Sequence, residues 1–229
     1  MTASSFTPNA TRVGRFGVVN AYLVREDDGL TLVDTTVPGS AKAIMNAAAG
    51  LGQPITRIAL THAHGDHIGS LDALAAALPG VEVIISARDA RLLHKDRSMD
   101  PGEPADKLRG SYPGAKTEPT RTVVHGDRIG SLEVIATPGH TPGHLALLDT
   151  RDGTVFCGDV FTTVGGVATT ARPPWRFPFA AIATWSRAVE RDSARTLRAL
   201  DPSRLAPGHG QVVDAPGPAM DAAIARAAG

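Results

Sequence analysis

Thr61-His62-Ala63-His64-Gly65-Asp66-His67 puts three histidines and an aspartate within six consecutive positions. The apolar run Ile55-Thr56-Arg57-Ile58-Ala59-Leu60 leads in, and the helix-like Ile68-Gly69-Ser70-Leu71-Asp72-Ala73-Leu74 leads out. Core packing gives no reason for so many imidazoles in one turn. A divalent metal does, because neutral imidazole nitrogen and carboxylate oxygen are ligands for zinc and its neighbours. On an extended segment, residues two apart point the same way, so His62 and His64 can grip one ion together. Asp66 and His67 fall where the chain turns into the helix; they point elsewhere and are available to a second ion.

Donors of the same kind recur downstream, each beside glycine at an expected strand end: Thr137-Pro138-Gly139-His140, Thr141-Pro142-Gly143-His144, Cys157-Gly158-Asp159 and Pro207-Gly208-His209-Gly210. Glycine lets a backbone approach closely, and loops at one edge of a sheet scaffold are where catalytic groups sit. Counting donors, one ion can take His62, His64 and His140, and another Asp66, His67 and His209, with Asp159 bridging through its two oxygens. Each ion then keeps an open position, as catalytic sites do. Two ions about 3.5–4 Å apart polarise a carbonyl and lower the pKa of water towards 7.

Between these segments the chain reads as alternating strands and helices. Strands are expected at 18–24 and 30–34, joined by the hairpin signal Glu26-Asp27-Asp28-Gly29. An alanine-rich helix follows from Ser40, a plausible N-cap, to Gly50, a plausible stop. Further strands are expected at 55–61, 81–85, 121–124, 132–137, 145–148 and 154–157, and helices at 70–78, 86–94 and 181–200. Residues 95–120 are polar and rich in proline and glycine, which suggests a surface insertion or lid. The stretch 161–179 is irregular and carries Trp175, Phe177 and Phe179, expected either to wall an acyl pocket or to pack a loop. The pattern fits two packed sheets with helices outside, in one domain spanning 1–229.

Lys plus Arg number 23 and Asp plus Glu 23. That balance argues against nucleic-acid or anionic-membrane partners. Cys157 is the only cysteine, so no intramolecular disulfide forms; it reads as a small buried hydrophobe. The first residues lack a basic start followed by an apolar block, and no apolar run reaches spanning length, so a cytoplasmic protein is expected. His94 and His125 lie outside the donor pattern and read as surface or capping residues.

The ordered set His62-x-His64-x-Asp66-His67, then His140, Asp159 and His209, resembles the metallo-β-lactamase-fold hydrolases over nearly the whole chain, from Asn20-Ala21-Tyr22-Leu23-Val24 to the His209 turn. The resemblance implies an α+β fold, a four-layer αββα sandwich with a dinuclear zinc site at one sheet edge, iron or manganese being alternative metals. It also implies that Asp34 orders the metal loops from behind, and it allows a homodimer. His144 reads as a ligand in place of His140 or as a residue that hydrogen-bonds the turn holding it; the second is expected.

Within the family, glyoxalase II-type thioesterases share every ligand but carry a C-terminal helical domain, and only about twenty residues follow His209 here. Quorum-quenching lactonases share the doubled Thr-Pro-Gly-His, yet show a tyrosine after the bridging aspartate where this chain has Val160-Phe161-Thr162-Thr163. The expected activity is hydrolysis of a small ester, thioester or lactone, with Asp66 passing a proton to the leaving group. The alternatives are a lactonase specifically, or a non-haem iron redox enzyme on the same fold.

Overall fold

Period-two alternation in the strands sorts their apolar side chains into separate layers. In a computed structural model that describes residues 1–172, 174–175 and 177–228, the first half runs β1 (Thr2–Ser5), β2 (Ala10–Arg15), β3 (Val19–Glu26), β4 (Gly29–Val33), α1 (Ala41–Leu51), β5 (Ile55–Ala59), α2 (Gly65–Ile68), α3 (Leu71–Ala77), β6 (Glu82–Ser86), α4 (Ala87–Leu93) and β7 (Arg121–Val123). The second half runs β8 (Arg128–Ile129), β9 (Leu132–Ala136), β10 (Leu145–Asp149), β11 (Thr154–Thr162), β12 (Ala168–Thr169), α5 (Phe179–Ala183), α6 (Arg187–Ala199), β13 (Arg204–His209), β14 (Val213–Asp214) and α7 (Gly217–Ala228).

The strands form one hydrogen-bonded path, β7-β6-β5-β4-β3-β13-β11-β10-β9-β8, folded over so that its halves face each other. The halves join where Val19 of β3 pairs with His209 of β13. Along β3, Ala21 and Leu23 enter a core beneath α1, α3 and α4 with Ile44, Leu74 and Leu92. The alternate residues Tyr22 and Val24 enter the core between the sheets, with Ile84, Val134, Leu147 and Phe156. On the far side, Ile135, Ala146 and Val155 pack against Ala194, Leu197 and Met220 of α6 and α7. Three cores between four layers make this an αββα sandwich of the α+β class. Tyr22 and Phe156 meet at a ring-centroid distance of 5.1 Å across the central core.

The 27–28 hairpin is present, Glu26 pairing with Gly29. Ser86 caps α4 by accepting from Asp89 N at 3.1 Å. Several expectations change. Ser40 stands before α1 without capping it through its side chain, because its hydroxyl donates to Val37 O at 2.9 Å instead. The helix stops at Gly52, whose φ of 73° supplies the left-handed cap, and Gly50 lies inside it. The helix expected over 181–200 is two helices, α5 and α6, separated by Thr184-Trp185-Ser186. No proline or glycine marks that break; it exists because Trp185 N and Ser186 N donate to His140 O and Gly139 O at 3.0 and 2.9 Å. Tertiary hydrogen bonds there replace helical ones.

Residues 95–120 contain no regular element, but they do not stand off the surface as a detached insertion. Tyr112 is buried against His64 at a ring distance of 4.6 Å, Ser111 O accepts from Gly65 N at 2.9 Å, and Asp106 O accepts from Trp185 Nε1 at 2.9 Å. Among the described residues no helix is long and apolar enough to cross a membrane.

Candidate metal centre

The 61–67 turn leaves β5 and enters α2 at the edge where β4, β11 and β13 also end. It brings together His62, His64 and His140 as one set, His62, His67 and Asp159 as another, and Asp66, His67 and His209 as a third, with the donor atoms of each set lying within 4.8 Å of one another. Asp159 stands between the sets. Its Oδ2 lies 3.4 Å from His140 Nε2 and 3.1 Å from His209 Nε2, and its Oδ1 lies 3.4 Å from His67 Nε2. Asp66 Oδ2 is 3.3 Å from His209 Nε2. All of these residues are buried except Asp66, which is half-buried.

Hydrogen bonds behind the rings fix which nitrogen is free. His64 Nε2 lies 3.0 Å from Arg109 O, which only accepts, so that nitrogen carries the proton. His67 Nδ1 donates to Asp34 Oδ2 at 2.8 Å. Thr61 Oγ1 gives its proton to Asp34 Oδ2 at 2.8 Å and therefore accepts from His62 Nδ1 at 3.0 Å. Thr184 Oγ1 gives its proton to a carbonyl, that of Thr170 at 3.0 Å, and therefore accepts from His140 Nδ1 at 3.0 Å. In their neutral forms all four imidazoles thus turn a lone pair inward.

A cation fits that arrangement. His64 Nδ1 and His140 Nε2 face each other at 3.0 Å with lone pairs opposed, while His62 Nε2, His67 Nε2 and Asp159 Oδ1 are buried without a hydrogen-bond partner. Unmet buried donors and acceptors are costly, and metal held by these sets would satisfy them.

The electrostatics divide the centre. Burial pushes His62 and His140 well below the usual imidazole range and His64 down to about 4. Burial also acts against the charged forms of His67 and His209, but the surrounding carboxylates, Asp159 foremost, overcome it; His67 is raised well above its ordinary value and His209 up to about 9. Burial would raise Asp159 and Asp66, yet His209 and His67 hold both below the usual carboxylate range.

Around the donors, other residues set position. Asp34 accepts from Thr61 N and Thr61 Oγ1 as well as His67, and it does so from φ 59°, a left-handed conformation that aspartate tolerates better than most residues. His144 spends both ring nitrogens inside the protein: Nδ1 pairs with Thr137 Oγ1 at 2.8 Å, and Nε2 accepts from Asp159 N at 3.0 Å. It therefore positions Asp159 and is not in any donor set. Gly208 must lack a side chain, since a Cβ there would sit 2.3 Å from Asp159 Oδ1. Asn20 Nδ2 and Tyr22 OH donate to Pro207 O at 2.9 and 2.6 Å, fastening the turn that carries His209.

The centre opens into a small cavity of about 100 Å³, walled beyond the donors by Ser111, Phe177, Phe179, Ala180 and Ala183. Phe177 packs against His209, ring centroids 5.2 Å apart and planes tilted by 46°. Trp175 does not share this cavity. It lines a separate one of about 920 Å³ with Val167, Arg172, Ala223 and Arg226. Cys157 is buried. His94 pairs with Glu118 at 3.1 Å, and His125 is exposed.

The reading from residues alone missed Thr61, Thr184, Asp89 and the Arg109 carbonyl. Thr61 stood inside the motif and could have been found; the other three act across long sequence separations with no local signal.

A family model for the metallo-beta-lactamase superfamily matches residues 14–209, and the chain belongs to that superfamily. As the class implies, it is a metal-dependent hydrolase. It is 46% identical over 210 residues to the uncharacterized protein YobT of Bacillus subtilis (strain 168), covering 91% of this chain and 90% of that one. It is 39% identical over 132 residues to a hydroxyacylglutathione hydrolase of Rhodospirillum rubrum, covering 56% of this chain but only 42% of that enzyme's length. In structure it is similar to the protein TTHA1623 in a di-iron-bound form, at 26% identity and a TM-score of 0.66, over 90% of this chain and 94% of that one.

Proposed function

We propose that the protein is a dinuclear zinc-dependent hydrolase of small esters, thioesters or lactones. The observation that carries this reading is the placement of Asp159, whose two oxygens lie between the His62–His64–His140 set and the Asp66–His67–His209 set. Two divalent ions, when bound, lower the pKa of water towards 7 and polarise a carbonyl. His62, His64 and His140, neutral through burial, hold one ion; Asp66, His67 and His209 hold the other.

Asp66 is the donor that opens to the cavity, and its depressed pKa keeps it ionised. It is placed to accept a proton and pass it to the leaving group. Phe177, Phe179, Ala180 and Ala183 give the acyl portion an apolar wall. The cavity's size favours a compact acyl group over a bulky one. Iron or manganese in place of zinc is the second reading, supported by the di-iron-bound form of the structural relative.

Metal content measured together with a panel of acyl esters, thioesters and lactones tests the proposal. Two equivalents of zinc, with turnover lost on chelation and restored by zinc, are expected. Equal turnover by metal-free protein would sink it; bound iron with oxygen consumption would replace it by redox chemistry.

A further inference from the structure

Asp89 lies in the first turn of α4, outside every donor set, and is fully buried. Its Oδ2 accepts from Ala63 N at 2.9 Å and from Thr141 Oγ1 at 2.7 Å, and its Oδ1 accepts from Gly143 N at 2.8 Å. Ala63 sits between His62 and His64; Thr141 and Gly143 follow His140. One carboxylate therefore clamps together the two turns that supply all three histidines of one ion.

The fit is close. A Cβ on Gly143 would come within 2.4 Å of Ser86 Oγ and 2.5 Å of Asp89 N, so the start of α4 is seated directly on the second turn. The other set has braces of its own: Asp34 holds His67 directly, reaching His62 only through Thr61, and Asn20 and Tyr22 hold the segment before His209. No hydrogen bond from Asp89 reaches Asp66, His67 or His209.

We propose that Asp89 is a positioning residue for the three-histidine half of the centre, setting the separation of His62 and His64 from His140 and thereby the affinity of that ion alone. This rests on the two-ion reading above. Asp89→Asn keeps the side chain's size, but either orientation of the amide points an NH2 at a backbone N–H, so one arm of the clamp opens. Thr141→Val removes a single bond and is the gentler variant should Asp89→Asn fold poorly.

The test is zinc binding under a competing chelator, with melting temperature recorded alongside. His209→Ala, which breaks the other set, marks which equivalent is which. Asp89→Asn should weaken one equivalent about tenfold to a hundredfold, leaving the equivalent that His209→Ala weakens within about twofold of its normal affinity; Thr141→Val should do the same to a lesser degree. In the cobalt-substituted protein, the shifted ring N–H signals of His62, His64 and His140 should broaden or move while that of His67 persists. Parallel loss of both equivalents, or no loss of either, overturns the proposal. A wild-type protein holding a single ion would defeat the dinuclear reading instead; Asp89 would still be judged by whether its substitution weakens that ion.

Discussion

Thr184 accepts the Nδ1 proton of His140 at 3.0 Å from within the break between α5 and α6. The hydroxyl is buried and its own proton is committed to a backbone carbonyl, so it holds His140 in the tautomer that leaves Nε2 free. Thr184→Val keeps the shape and removes the acceptor. Metal affinity of the three-histidine set should fall about tenfold to a hundredfold with the fold intact. Chelator competition and circular dichroism check this; an unchanged affinity would show the tautomer is set elsewhere.

Acid should strip the two ions in sequence. Without metal, His67 and His209 are protonated at neutral pH, His209 titrating at about 9, whereas His64 titrates at about 4 and His62 and His140 are held low. Metal must expel protons only from the Asp66–His67–His209 set. Its affinity there rises with pH, by about a factor of ten per pH unit for each proton displaced, the His209 proton contributing up to about pH 9. The three-histidine set keeps its ion until the pH nears 4. Metal retention after dialysis at pH 8, 6 and 4.5 checks the order; simultaneous loss of both ions contradicts it.

Asp34→Ala leaves Thr61 N, Thr61 Oγ1 and His67 Nδ1 unpaired in a buried site. The cost should be about 3 kcal/mol or more in chemical denaturation. Asp34→Gly should cost about 1 kcal/mol less, since glycine accepts φ 59° without strain. Equal losses would mean that backbone strain at this position is negligible.

Phe177→Ala and Phe179→Ala should raise KM for small acyl substrates several-fold with little change in kcat, because both rings wall the cavity above the donors. Trp175→Ala should leave KM within about twofold, because its ring lines the other cavity. A KM effect from Trp175 as large as that from Phe177 would join the two cavities functionally.

The donors were legible because chemistry forces their spacing: His62, His64, Asp66 and His67 form one turn, and His140, Asp159 and His209 each follow a glycine. His209 ends β13, His140 lies just past β9, and Asp159 lies within β11, which runs on to Thr162 rather than stopping at 157. The sandwich was legible through period-two alternation, as at Ala21-Tyr22-Leu23-Val24, where neighbours enter different cores. The break at Thr184-Trp185-Ser186 was not, because each residue there is compatible with a helix and only contact with the His140 turn ends it. Asp89 was hidden for a related reason. Ser86 and Asp89 read as a helix start, and they are one, but the carboxylate's partners lie 26 and 52–54 residues away. The role of 95–120 was missed because the Arg109 bond to His64 uses a backbone carbonyl, which any residue type supplies.

His209 pairs with Val19 at the joint between the two halves of the sheet. The last of the donors along the chain is thus stitched to β3, nearly 190 positions earlier in the sequence. The Asp66–His67–His209 set is therefore complete only when β3 and β13, far apart along the chain, have paired. Metal held at that set would therefore double as a report that the two halves of the sheet have joined.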